Sequence, residues 1–524
     1  MIYATRIQFL PLRARHRKGH ARRIRDCSSE DYLREDYSRR DRREKLPVVT
    51  RSRVSLAELL KKLPQELLEQ VFICCNDEGL PQSTLLPAHV CRTWRSIAFN
   101  ERRMWTKLSV TDDQSCGAGS IEQLRAWFQR ASPLLVAVTV AVPAEDQDQD
   151  RLDHFLLDHR TQPLTGQIRA LDITAANERW ERLAALPTDA FRSLEKLQLK
   201  GDVVSASLLP LGTPLSSLSY TPHLRTFAVE GLVDMVMSRM DTIFPIRWSR
   251  LEHLCLAGVQ NMHGFPDVFR QCTSLKTASI TTWDSENDNS SASRDAVPLP
   301  HLTTLEIMFW EWPVKCMSAV SLPALKHLSL TDTRSMGFNS WGDLVALADR
   351  AAGLEELLID GLDMKNHESD FETLLTRLPR LRVLELSSIA MRPEHLLPIF
   401  YRASSSSQAE LVPELRRLYP QGTRLLQLQH NRTYSPEVYN TYARAYGLIR
   451  KLLEHRLQSP HFRDCTLTCT YPFYVEKVPL DICQSDVVAL GNLITKWRAR
   501  AQLHVDGMWQ MEKRIFGNVV IMGW

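Results

Sequence analysis

The sequence predicts an α/β protein in which an N-terminal helical module precedes a solenoid, a curved parallel sheet with outer helices. Two observations predict this fold. Residues 63–105 carry apolar residues at helical spacing, and a seven-residue phrase then recurs nine times. The chain has 524 residues, 44% of them hydrophobic, which suits either several folding units or one elongated array with a large core.

Charge is distributed unevenly along the chain. Residues 1–53 contain 16 Lys or Arg and 7 Asp or Glu, a net charge of +9, while the whole chain carries +4, so residues 54–524 carry −5. We interpret residues 1–54 as a basic, disordered tail. An Arg-rich patch for nuclear import or nucleic acid is a second interpretation, and a mitochondrial presequence is a third. Aromatic residues are sparse there, so a nucleic-acid domain is not predicted.

The cysteines and the apolar runs indicate a compartment. The 11 Cys include no CxxC pair, and no apolar run approaches the roughly twenty residues that span a bilayer. The Met1 end lacks the apolar centre of a signal peptide. We therefore expect a cytoplasmic or nuclear protein with reduced cysteines, no membrane segment, no metal and no cofactor.

The segment LPQELLEQVF, residues 63–72, begins a helix with Pro64 in its first turn. Apolar residues recur on one face of this helix, and a second apolar segment runs from Leu85 to Ala98 at spacings of three and four. Two or three helices this short cannot bury their own apolar surface. They must dock on the rest of the chain or present an apolar face to a partner.

The order of LPQELLEQVF, VCRTWRSIAF and a Trp before a strand resembles an F-box, with Val71 in place of the usual Ile. We assign the F-box to residues 55–110. The resemblance implies docking on the Skp-type adaptor of a cullin–RING ubiquitin ligase. Carried over by position, the residues implied for packing and adaptor binding are Leu63, Pro64, Leu67, Leu68, Val71, Phe72, Val90, Cys91, Trp94, Ile97 and Trp105. Spacing alone leaves open which of them face the adaptor.

A helix is predicted around Leu124 to Ala131, ended by Pro133, and the apolar run of residues 134–142 is predicted to be a buried strand. This helix and strand resemble the body of basidiomycete F-box proteins.

The repeated phrase defines the array at residues 111–400. Its copies begin at Gln167, Ser193, His223, Arg250, Ser274, His301, Ala324, Gly353 and Arg380, at spacings of 23 to 30 residues. This is the period of leucine-rich repeats. The second, fifth and seventh places are apolar or small. The fifth and seventh residues alternate along a short strand, which predicts that both point into the core. Helical patterns at residues 343–352 and 370–378 predict outer helices that stack with the strands.

Residues 401–524 are predicted to continue the array or to cap it. A strand near Leu415, a strand in CTLTCTYPF and a last strand after residue 500 are expected. Helices are predicted in SPEVYNTYARAYGLIRKLLEHRL and in DVVALGNLITKWRARAQLHV.

A substrate-binding surface is predicted on the concave side of the sheet. The sixth place of the phrases holds Glu306 and Glu385 beside Gln198, Cys255, Ser279 and Ser329. Trp283 and Trp310 share a register in adjacent repeats, with Trp312 close by. These aromatic residues either anchor a partner or cap the core against the adjoining loop.

No phosphate-binding loop, dinucleotide fingerprint, HExxH or GxSxG motif is present, so we predict that the chain is not an enzyme. The resemblance implies the substrate-recognition subunit of an SCF-type ubiquitin ligase, with the adaptor, a cullin bound through it and an unidentified target protein as partners. The alternative is an interaction scaffold outside any ligase, in which the helical module only caps the solenoid.

Overall fold

The computed structural model describes most of the chain between residues 63 and 421. The described residues are 63–76, 81–110, 120–141, 162–175, 183–201, 214–236, 240–261, 265–282, 297–310, 317, 320–333, 341–361, 367–387, 399, 412, 414–415, 417–421, 466–468 and 503–504. The basic segment 1–54, Trp283, Trp312 and the two helices predicted beyond residue 434 lie outside them.

The helical module contains three short helices. They are α1 (Gln65–Cys75), α2 (Pro81–Val90) and α3 (Arg92–Asn100), followed by a 3-10 turn at Arg102–Trp105. Pro64 is the N-cap of α1, and its carbonyl accepts hydrogen bonds from the backbone of Leu67 and Leu68. Cys91 separates α2 from α3, because its extended backbone caps α3. The apolar pattern from Leu85 to Ala98 is thus divided between two helices.

A parallel sheet runs through the rest of the described chain. Its fourteen strands are β1 (Lys107–Val110), β2 (Val136–Ala141), β3 (Ile168–Ala175), β4 (Lys196–Gly201), β5 (Thr226–Val236), β6 (His253–Asn261), β7 (Thr277–Thr282), β9 (Thr304–Phe309), β11 (His327–Asp332), β12 (Glu356–Asp360), β13 (Val383–Ser387), β14 (Arg417–Gln421), β15 (Thr466–Thr468) and β16 (Leu503–His504), hydrogen-bonded in that order. The two-residue strands β8 (Val297–Pro298) and β10 (Val320–Ser321) pair separately.

The strands follow the chain order because each repeat returns beside the preceding one. Parallel neighbours need a crossover, and helices supply several of these. The helices after the module are α4 (Ser120–Ala131), α5 (Gln162–Thr165), α6 (Met240–Ile243), α7 (Phe265–Gln271), α8 (Trp341–Arg350) and α9 (Glu368–Thr376). The predicted α/β class, with a module of helices before a parallel sheet, is confirmed.

Buried and less buried residues alternate along the strands, as the sequence predicts. In the repeat that begins at His301, Leu302, Leu305 and Ile307 are each at most 2% exposed. The fifth places of successive phrases are in register across the sheet, so Leu254 pairs with Ala278 and Ala278 with Leu305. Helices α8 and α9 bury their apolar faces in the same core. The fourth and sixth places lie on the other side of the sheet, together with the residue directly after each phrase, which is its eighth place. We call this side the open face.

Two sequence predictions at the start of the array are confirmed. Helix α4 ends at Ala131, before Pro133, and the apolar run after it forms β2 with alternating burial. No helix within the described ranges combines the length and the apolar character that crossing a membrane requires.

Candidate protein-interaction sites

Helix α1 divides its apolar residues between the core and the solvent. Leu68 and Phe72, four residues apart, are 5% and 1% exposed, whereas Leu67 and Val71 are 52% and 48% exposed. Residues four apart lie on the same helix face. The water-exposed parts of these two large apolar side chains do not contribute to the stability of the chain by itself. This face of α1 is therefore available to bind a partner.

Helix α2 has the same arrangement. Leu86 and Val90 are exposed, while Thr84, Pro87 and Ala88 are buried. We call the side chains of Leu67, Val71, Leu86 and Val90 the exposed apolar set. Half of the eight large hydrophobic residues that are exposed in the described chain belong to it.

A buried polar contact holds α1, α2 and the 3-10 turn together. Asn76, at the C-cap of α1, donates a side-chain hydrogen bond to the carbonyl of Met104 and accepts one from the hydroxyl of Thr84. Asn76 and Thr84 are 3% and 0% exposed. Because a buried polar group is costly when it lacks partners, these bonds fix how the helices pack and therefore where the exposed apolar set lies.

Electrostatic contacts support the same turn. Glu101 caps it by accepting a hydrogen bond from the backbone N–H of Arg103, and the Arg103 guanidinium lies 2.8 Å from its carboxylate. This side-chain hydrogen bond lowers the pKa of Glu101 below its usual value. A second Arg103 nitrogen lies 3.7 Å from Glu69 on α1.

Trp105 joins the helical module to the array. Its indole N–H donates to the carbonyl of Ala98 on α3 at 3.1 Å, and its own carbonyl accepts from the indole N–H of Trp127 on α4 at 2.7 Å. The two indoles meet edge to face with centroids 4.8 Å apart. The Arg130 guanidinium lies 4.6 Å from the Trp105 ring centroid, within cation–π range. The module is therefore packed onto the first helix of the array.

The eleven residues predicted for packing and adaptor binding differ in exposure. Leu63, Pro64, Leu67, Val71, Val90 and Cys91 are exposed, and Leu68, Phe72, Ile97 and Trp105 are buried. Trp94 is half-buried and its ring lies 5.0 Å from that of Phe72. The buried residues shape the module, and a partner can reach the exposed ones, and part of Trp94, without unfolding it.

The residues predicted from the sequence do not include Leu86, which is the most exposed large hydrophobic residue described, at 65%. The signal that could have identified it is its position four residues before Val90, which places both on one face of α2.

The sixth places of the phrases form a continuous row on the open face. From β3 to β13 the row reads Asp172, Gln198, Ala228, Cys255, Ser279, Glu306, Ser329, Leu358 and Glu385. Glu306 is exposed and Glu385 is half-buried. The predicted register of these two carboxylates and their four companions is confirmed, whereas their role in binding stays a prediction.

A cavity of about 300 Å³ opens on this face over β5, β6, β7 and β9. Small hydroxyl residues line it, among them Thr277, Ser279 and Thr304, and Glu306 stands beside them. His253 contributes a ring nitrogen 2.7 Å from the Thr277 hydroxyl.

Cys255, in the same cavity, is in an environment that disfavours negative charge. Burial, followed by the carboxylates of Glu230 and Glu306, raises the pKa of its thiol to about 11. The thiol is therefore protonated at neutral pH. Within the described residues, no group of three or more His, Cys, Asp or Glu side chains is placed to bind a metal ion.

At pH 8 we expect iodoacetamide to alkylate Cys74, Cys75 and Cys91 at least about tenfold faster than Cys255 and Cys272. The first three are exposed. Burial also raises the pKa of Cys272 to about 12, and with a pKa near 11 only roughly 0.1% of a thiol is ionised at pH 8. Peptide mass spectrometry over a time course measures the rates, with urea-unfolded protein as the control in which all five react alike. Equal rates for Cys255 and Cys91 in the folded chain would contradict the placement of β6.

Trp310 is the one described member of the predicted aromatic group. It is half-buried, and its backbone N–H donates to the carbonyl of Thr282 at 3.0 Å, which extends the pairing of β7 with β9. The partner-anchoring and core-capping interpretations of Trp283, Trp310 and Trp312 both remain predictions.

Comparison with known proteins gives one family assignment. The F-box-like family model matches residues 60–111, which include the three helices, the 3-10 turn and β1. No curated protein matches the sequence. One solved structure with similarity is the crystal structure of the Rad7 and Elc1 complex in yeast, at 12% identity and a TM-score of 0.28, covering 65% of this chain and 89% of that chain. So weak a likeness identifies neither a function nor a partner. Residues 60–111 are therefore an F-box-like domain, packed at the start of a parallel-sheet array.

Proposed function

We propose that this protein is the substrate-recognition subunit of an SCF-type cullin–RING ubiquitin ligase. Its F-box-like domain docks a Skp-type adaptor, which connects it to a cullin, and the array holds a target protein. In this role no residue of the chain reacts. The chain raises the local concentration of the target's lysines near the ubiquitin donor, so rate enhancement comes from proximity.

The observation that carries the proposal is the exposed apolar set on α1 and α2. Leu67, Val71, Leu86 and Val90 are each about half exposed or more, while Leu68 and Phe72 of α1 and Pro87 and Ala88 of α2 are buried. The domain is thus already folded and packed without using these side chains. Fully burying an exposed Leu or Val side chain at an interface contributes about 1.5–3 kcal/mol.

The junction at Trp105 supports the same function, because a receptor must hold its target at a fixed position relative to the adaptor. The indole pair of Trp105 and Trp127, with the hydrogen bond of 2.7 Å between these residues, ties the adaptor-binding helices to the array.

The same junction also favours the second candidate function, an interaction scaffold outside any ligase. A module that buries Trp105 against α4 packs on the first helix of the array, as a cap does. A cap, however, has no use for the exposed apolar set, and this difference separates the two functions experimentally.

Replacing both Leu67 and Val71 with Glu is expected to weaken capture of a Skp-type adaptor by at least about 100-fold, because two apolar anchors are lost and two charges are placed at the interface. The measurement is co-purification and titration of the full-length chain with the adaptor. Both positions are about half exposed, so the melting temperature should stay within a few degrees of the parent.

Tyr220→Glu is the matched control, since this side chain is 51% exposed and lies outside the F-box-like domain. It should leave adaptor capture unchanged. A parent chain that is folded but binds no adaptor, or a double variant that binds as tightly as the parent, would favour the scaffold.

A further inference from the structure

Four neighbouring strands give the open face a negative character. The twelve fourth-, sixth- and eighth-place residues on β9, β11, β12 and β13 are Thr304, Glu306, Met308, His327, Ser329, Thr331, Glu356, Leu358, Asp360, Val383, Glu385 and Ser387. Four are carboxylates and none is Lys or Arg. The Nδ1 atom of His327 lies 2.8 Å from the Glu356 carboxylate, so this one of the four carboxylates already has a partner within the chain.

Glu306 and Glu385 occupy the two ends of this surface. Neither makes a hydrogen bond or an ion pair with another residue in the described part of the chain. They are in the same row, three strands apart, with Ser329 and Leu358 between them. Three strand spacings of about 4.8 Å place their backbones roughly 14 Å apart.

The cavity adjoins the Glu306 end. At about 300 Å³ it is at the small end of ligand pockets, which suits one long side chain better than a cofactor. Its hydroxyl groups, on Thr277, Ser279 and Thr304, can accept hydrogen bonds from an ammonium or guanidinium group. The carboxylate of Glu306 supplies the opposite charge at the same place.

We propose that the open face of β7 to β13 binds an extended, basic segment of the target protein, with one cationic side chain in the cavity beside Glu306 and a second, four residues along, at Glu385. The proposal rests on the proposed function, since it names the class of target that the array would hold. An extended peptide advances about 3.3 Å per residue, so four residues cover about 13 Å and match the separation of the two carboxylates. Side chains of an extended chain alternate, so residues i, i+2 and i+4 all face the sheet, and the central one falls between Ser329 and Leu358.

The test uses full-length protein and fluorescein-labelled peptides of nine residues, measured by fluorescence anisotropy. The probe has the central sequence Lys-Ser-Leu-Ser-Lys, and its comparison peptide has Lys-Ser-Leu-Lys-Ser. Spacing of four should bind at least about fivefold tighter than spacing of three, because an odd spacing turns one lysine away from the sheet. Acetylating both lysines removes their charges and should abolish binding, and raising the salt concentration should weaken it.

Variants locate the site. Glu306→Gln and Glu385→Gln preserve side-chain shape, and each should weaken the probe about threefold to fivefold. Glu372→Gln is the matched control, because Glu372 lies on α9, which packs against the core side of the sheet. It should leave binding unchanged. Equal loss with Glu372→Gln, equal affinity for the two spacings, or tight binding of the acetylated probe would each overturn the proposal.

A competing peptide tests whether the open face instead holds this chain's own basic segment. If a peptide of residues 13–25, RARHRKGHARRIR, bound more tightly than the probe, the occupant would be that segment and the assignment to a target would fall.

Adaptor capture, measured on the same protein, keeps this proposal distinct from the ligase function. If the spacing preference were absent while the adaptor was still captured, this proposal would fail and the ligase function would stand. If the preference were present without adaptor capture, the ligase function would fail instead.

Discussion

Replacing Trp105 with Ala is expected to lower the free energy of unfolding by about 3–5 kcal/mol, the range for truncating a large buried aromatic residue. Trp105 is 1% exposed. Its loss leaves a cavity between Phe99, whose ring centroid lies 5.8 Å away, and Trp127. The substitution also removes the hydrogen bond to the carbonyl of Ala98 and the ring under Arg130.

Urea unfolding followed by circular dichroism measures this effect. Tyr220→Ala is the control, since half of its side chain is already exposed, and it should change stability by no more than about 0.5 kcal/mol. Adaptor capture should fall with Trp105→Ala because the F-box-like domain is destabilised. By contrast, the double variant at Leu67 and Val71 should lose adaptor capture while its stability stays close to that of the parent. A Trp105→Ala protein as stable as the parent would mean that the module and the array are not joined at this residue.

Replacing Gly361 with Ala is expected to destabilise the array by about 2–4 kcal/mol. Gly361 follows β12 at a φ of +81°, a conformation that L residues rarely adopt. A Cβ there would come within the contact distance of the backbone carbonyl of Asp332, which is part of β11 and cannot rotate away as a side chain can. The backbone N–H of Gly361 also donates to Ser387 at 3.0 Å, so the turn cannot shift freely.

Gly342→Ala is the matched control for this prediction. Gly342 lies in the first turn of α8, where an added Cβ meets nothing within 4 Å. Ala is the better helix former, so this variant should be as stable as the parent or more stable by up to about 1 kcal/mol. Thermal unfolding of both variants beside the parent decides the point. Equal melting temperatures for the two would contradict the close approach of the Gly361 turn to β11.

The strands were the most predictable part of the fold. The fifth and seventh places of each phrase are apolar, and Leu305 and Ile307 illustrate the result, with both side chains buried and their neighbour Glu306 exposed. Successive side chains of a strand point to opposite sides of the sheet. Once one residue is known to be buried, the side on which each remaining residue of that strand lies is therefore known as well. The row of sixth-place residues followed from the sequence for this reason.

The helical module was less predictable, because an amphipathic helix with apolar residues on adjacent positions has two candidate inner faces. Leu67 and Leu68 are neighbours of the same residue type, yet one is 52% and the other 5% exposed. Nothing in a helical period distinguishes them. Which face of α1 is buried depends on the contacts of Phe72 with Trp94 and of Asn76 with Thr84 and Met104. These partners lie outside α1, on α2, on α3 and in the 3-10 turn.

The sequence by itself determined the repeat, the alternation of core and open-face residues, and the presence of an F-box-like segment ahead of them, because each depends on local spacing. Only the tertiary structure decided which apolar side chains of α1 and α2 stay in water, that Trp105 and Trp127 connect the module to the array, and that a cavity lies beside Glu306. These features arise where residues distant in sequence meet, and packing between elements, unlike periodicity within one, leaves no regular signal along the chain.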